Sequence, residues 1–92
     1  MNQKEISFNN PLMKYLLMSH PIKNDGMGLP SYILIGDKLN KINSSIDRHN
    51  TRKSLIQSLT SLHKFSQEDA TFMSDCYCEL VYIKYKEVVL NI

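Results

Sequence analysis

The chain has no tryptophan, only three glycines and three prolines, two cysteines in 92 residues, and no long apolar run. Each shortage excludes something. Two cysteines one residue apart, Cys76 and Cys78, cannot form the disulfide framework of a small secreted domain, which needs more bridges spread along the chain. The longest nearly uncharged stretch, Leu29 to Gly36, is far too short to span a bilayer. The first ten residues are polar and carry Lys4 beside Glu5, without the apolar segment of a secretory signal. The expectation is a cytoplasmic protein with no membrane contact.

Charge is also scarce in one respect. The net charge is +2 and the isoelectric point about 8.6, below the value of about 9 that marks a dedicated nucleic-acid module. Composition permits DNA binding without arguing for it. At 42% hydrophobic and 22% charged, the chain is an ordinary globular one, with too little length for a deep catalytic cleft.

Residues 1–9 read as a flexible polar arm, and 10–92 as a single helical domain. Asn10-Pro11 starts a short helix, since Asn caps well and Pro at the first position loses no needed hydrogen bond. Leu12, Tyr15 and Leu16 mark its stripe, and His20-Pro21 ends it. Lys23 to Pro30 is loop; its Gly26-x-Gly28 lacks the later Gly and Lys-Ser/Thr of a phosphate loop. Ser31 caps a second helix with Tyr32, Ile35, Leu39 and Ile42 at steps of three and four. A third helix begins at Asn50 or Thr51 and carries Leu55, Ile56, Leu59 and Leu62. Ser66-Gln67-Glu68-Asp69 fits a capping box and opens a fourth, through Ala70, Met73, Tyr77, Leu80 and Val81. From Val81 to Lys86 the pattern also alternates as a strand would; with no turn before Tyr82, one long helix is preferred. The predicted fold is therefore all-α, a short N-terminal helix followed by three more, pairing as a homodimer.

Chemistry-bearing residues are sparse. Cys76 and Cys78 point apart on a helix and do not share a metal ion. His20, His49 and His63 fall in separate segments with no carboxylate at dyad spacing. No catalytic, cofactor or metal residue is assigned: the reading is a non-enzyme without cofactors or a small-molecule substrate. Two surfaces stand out. Arg48, His49, Arg52 and Lys53 gather cations where they oppose the helix dipole, as a contact for nucleic acid or an acidic partner. Tyr77, Leu80, Val81, Ile83 and Lys84 form the candidate dimer or partner face of the last helix, where tyrosine is at home in an interface.

From Ile35 to Leu80 the chain resembles the small enterobacterial connectors of two-component systems, the AriR group of biofilm and acid-resistance regulators. Leu12-x-x-Tyr15-Leu16, Ile35-Gly36-x-x-Leu39-x-x-Ile42, Asn50-Thr51-Arg52-Lys53-Ser54-Leu55, and Leu59-x-x-Leu62 followed by Ser66-Gln67-Glu68-Asp69 carry the likeness. The resemblance implies an all-α homodimer that regulates a phosphorelay by touching a sensor kinase or response regulator, with DNA as a second target. An inhibitor of the immunity or antitoxin kind is a third class that fits a small chain without chemistry.

Overall fold

The computed structural model describes residues 8–90. Of the arm expected over residues 1–9, the first seven residues lie outside that range, and Phe8 packs against the core. The elements in order are α1 (Pro11–Ser19), β1 (Ile22–Asn24), β2 (Pro30–Ile35), β3 (Lys38–Lys41), α2 (Ser45–Ser61) and α3 (Gln67–Leu90). The three strands form one antiparallel sheet in the order β1-β2-β3.

That sheet overturns the all-α expectation. Tyr32-Ile33-Leu34-Ile35 is an unbroken β-branched and aromatic run, which suits a pleated surface better than a helix. Gly36 and Asp37 then form a two-residue hairpin, with Ile35 opposite Lys38. Gly36 takes φ +65°, and Asp37 does not, the pattern of a turn with glycine at its first central position. The spacing of Tyr32, Ile35, Leu39 and Ile42 at three and four residues mimics a helix. In the hairpin Ile35 and Ile42 point inward while Tyr32 and Leu39 point outward.

The first hairpin closes on Asp25. Its carboxylate accepts from the Met27 and Leu29 amides at 2.8 and 3.0 Å and from the Ser31 hydroxyl at 3.0 Å. These donors, the backbone amides first, hold the Asp25 carboxyl below its ordinary range.

The helices follow their caps. Asn10 accepts from the Leu12 amide, and α1 ends at His20-Pro21. It buries Leu16 of the expected stripe together with Met13, while Leu12 and Tyr15 stay exposed. The helix placed after Asn50 in fact starts at Ser45, capped by Ser44, whose hydroxyl accepts from Asp47 at 3.1 Å. Ser44-Ser45, which interrupts the apolar rhythm, is thus the start signal. Ser66 accepts from the Asp69 amide at 3.1 Å and opens α3, which continues unbroken through the ambiguous stretch to Leu90.

At the end of α2, Phe65 donates its amide to the Leu59 carbonyl across Lys64, which sits at φ +63°. This is a left-handed helix stop made without glycine. The conformation costs an L-residue about 1–2 kcal/mol, partly offset by the entropy glycine loses on folding. Lys64→Gly is therefore expected to raise unfolding free energy by about 0.5–1 kcal/mol, measurable by urea denaturation.

The core gathers Leu16 from α1, Ile33 from β2, Ile42 just after β3, Leu55 and Leu59 from α2, and Met73, Tyr77 and Val81 from α3. Helices α2 and α3 pack on each other and on the sheet, and α1 packs on α3. Tyr77 is the largest side chain wholly inside.

Candidate functional site

Two histidines from separate segments meet. His20 follows α1 and His63 follows α2, and their ring centroids stand 5.1 Å apart. His20 is buried. Its Nδ1 lies 2.7 Å from the Ser19 hydroxyl, its Nε2 2.9 Å from the Ser58 hydroxyl, and its carbonyl accepts from the Tyr77 hydroxyl at 2.6 Å. Tyr15 reaches His63 Nδ1 at 2.5 Å and packs edge-on against Phe65. Nothing in the sequence signals the His20–Ser58 pair, because 38 residues separate its members.

A serine bonded to an imidazole invites a nucleophile reading, and the geometry argues against it. Burial, and next the neighbouring His63, push the His20 imidazole down to about 4, which makes a poor base at neutral pH. Ser58 lies inside α2, where the backbone amides that an oxyanion would need are already committed to the helix. The cluster joins α1, α2 and α3 through a neutral imidazole, a structural role. A groove of about 310 Å³ beside Ser58, walled by Gln57, Ser61, Lys38 and Asn40, opens widely to solvent.

The basic cluster is divided. Arg48 stacks its guanidinium 3.6 Å from the Tyr82 ring centroid and reaches the Ile42 carbonyl and Ser45 hydroxyl. Arg52 forms a two-pronged ion pair with Asp75 of α3. Both guanidiniums thus tie α2 to its neighbours. His49 and Lys53 remain exposed. A shallow cleft of about 220 Å³ lined by Arg48, His49 and Arg52 also presents Asp75 and Glu79, so its charge is mixed rather than basic.

The expected partner face is divided as well. Tyr77 and Val81 are buried within the chain, and Leu80 is half-buried against the core. Ile83 and Lys84 point outward, Lys84 lying 4.0 Å from Glu87. At 100° per residue, Phe72, Cys76, Ile83 and Leu90 share another face of α3, within about 40°. Phe72, Ile83 and Leu90 are exposed to 44, 43 and 79%. That stripe runs at steps of four and seven, and it is visible in the sequence once Tyr77 and Val81 are given to the core.

Both thiols are free. Burial, then the Asp75 charge, push the Cys78 thiol up to about 12 and raise Cys76 as well, leaving them poor nucleophiles. Among the described residues no group of His, Cys, Asp and Glu could hold a metal ion, and no helix is long and apolar enough to cross a membrane. No protein-family model, curated protein or solved structure matches the chain.

Proposed function

We propose that this chain is a regulatory binding protein of the cytoplasm that acts by occupancy, without catalysis, through the outward stripe of α3. The observation that carries this reading is the length of that helix. Val81 is its last core residue, yet α3 runs on to Leu90 with Ile83, Val89 and Leu90 exposed. About two and a half helical turns therefore extend past the last buried residue, held on one side by the Arg48 guanidinium over Tyr82 and by Asn43 donating to the Tyr85 hydroxyl, with the Ile83 side left open.

The first occupant of the stripe is a second copy of the chain. Glu79 and Lys86 lie on one edge of the stripe, on either side of Ile83. An antiparallel pair centred near Ile83 brings each Glu79 opposite a Lys86, as in a self-complementary interface.

For the regulated partner, the proposal is a sensor kinase or response regulator of a phosphorelay. The support is the likeness of Asn50–Leu55 and Leu59–Asp69 to the connectors, segments that lie in or between helices in this chain too. The hairpin at Ile35–Ile42 stands where the likeness implies a helix, so only the C-terminal part of the resemblance supports the partner. Shifting a partner between states needs differential affinity, and tenfold corresponds to about 1.4 kcal/mol.

Affinity capture from nuclease-treated enterobacterial lysate, with wild type and Ile83→Glu as paired baits, tests this. Enrichment of a response regulator or kinase by wild type, lost with Ile83→Glu, is the expected outcome. Equal capture by both baits contradicts the assignment of the stripe. DNA as the direct target of Arg48, His49, Arg52 and Lys53 is disfavoured, because both arginines already have partners within the chain.

A further inference from the structure

The sheet has a second face. Ile22, Ile33, Ile35 and Ile42 point into the core. By the two-residue alternation of strands, Lys23, Tyr32, Leu34, Leu39 and Lys41 point the other way. Of these, Leu34 and Tyr32 are half-buried, and Leu39, Lys23 and Lys41 are exposed. None of the three apolar residues belongs to the core or packs against it.

Register arranges this face. Tyr32 of the central strand stands opposite Lys23 of β1 on one side and Lys41 of β3 on the other. A row of lysine, tyrosine and lysine thus crosses all three strands. Leu34 and Leu39 form the next row. With strands about 4.8 Å apart, the two lysine Cα atoms flank the tyrosine at a span of about 10 Å.

Among the described residues the face holds two cations and no carboxylate. Asp25, in the nearby loop, spends its oxygens on two amides and a hydroxyl, and Asp37 sits at the far hairpin tip. Neither lysine is ion-paired among the described residues, whose ion pairs are Arg52–Asp75 and Lys84–Glu87.

We propose that this outer sheet face is a platform for single-stranded nucleic acid. One base stacks on the Tyr32 ring, the Leu34–Leu39 pair supports its neighbour, and Lys23 and Lys41 neutralise phosphates on either side. Single strands fit because an unpaired base offers its flat face to an aromatic ring, whereas a flat sheet surface does not enter a duplex groove. The alternation of cation and ring across the sheet matches the alternation of phosphate and base along a strand. The stripe of α3 is not involved, so this inference stands apart from the regulatory reading.

The test is fluorescence anisotropy of a labelled oligouridine of about 12 nucleotides with the full chain, titrated at several salt concentrations between about 50 and 200 mM. Tyr32→Ala is expected to weaken binding roughly tenfold, the scale of one lost stacking contact, while Tyr32→Phe keeps it. Tyr32→Leu, which preserves apolar bulk in the strand, repeats the loss should the alanine variant not fold. Replacing Lys23 and Lys41 together by Ala lowers the slope of log affinity against log salt by about 1.4, or 0.7 per phosphate. Wild-type affinity in a folded Tyr32→Leu variant overturns the proposal. So does Tyr32-dependent binding to phosphatidylserine vesicles in the absence of oligonucleotide binding, which makes the face a lipid contact instead.

Discussion

Lowering the pH from 7 to 4 is expected to destabilise the fold by roughly 3 kcal/mol through His20 alone. The imidazole is buried between Ser19, Ser58 and His63, and its folded value falls from 6.5 to about 4. Between those two values the unfolded chain binds the proton and the folded chain resists it. Stability is therefore full above about pH 6.5, declines as pH falls through that window, and levels off below about 4. Asp25 adds a second loss at still lower pH: its carboxyl is depressed in the folded state, so its contribution disappears only as that group protonates. Urea denaturation from pH 7.5 to 4 reads the slope. Wild type loses stability at close to one proton's worth through the window, and His20→Gln loses that component. Parallel curves for the two proteins contradict the assignment.

Tyr77→Ala is expected to cost about 3–5 kcal/mol, enough to unfold a small domain in large part. The ring sits at the centre of the core, wholly shielded from solvent, and its removal leaves a cavity bounded by three helices. The hydroxyl has a separate role, donating to the His20 carbonyl at 2.6 Å. Tyr77→Phe keeps the packing and leaves that carbonyl without this donor, for a loss of about 1–3 kcal/mol. Thermal and urea unfolding of both variants separate the two effects. A Phe variant as stable as wild type would remove the hydroxyl from the account, while an Ala variant of native stability would remove the core assignment.

The sequence made the helical ends of the chain legible and hid its middle. The caps at Asn10 and Ser66 are local devices, and both helices they announce are present. The central hairpin carries a local signal too, Gly36-Asp37 between two runs of strand-forming residues. It is masked because Tyr32, Ile35, Leu39 and Ile42 happen to fall at helical spacing. At that one place helical spacing competes with strand alternation, and the Lys23–Tyr32–Lys41 row, which exists only across strands, has no counterpart in the linear pattern. The division of the α3 residues is harder to read. Helical spacing alone sets Ile83 about 120° from Tyr77 and about 160° from Val81, but the position of the sheet and α2 decides which of the two faces is inward. The pairings of Arg48 with Tyr82 and of Arg52 with Asp75 join separate helices, and the His20–Ser58 contact likewise spans distant segments. Such contacts are properties of the packed chain, invisible to any local pattern.

The central claim is that the exposed stripe of α3 binds, first of all to a second copy. Sedimentation equilibrium of wild type and Ile83→Glu over a range of concentrations tests it most directly. The account predicts a wild-type mass approaching twice the 10.7 kDa of one chain as concentration rises, and a folded Ile83→Glu variant that stays monomeric. A wild-type chain that remains monomeric throughout, or a glutamate variant that pairs as strongly, contradicts it.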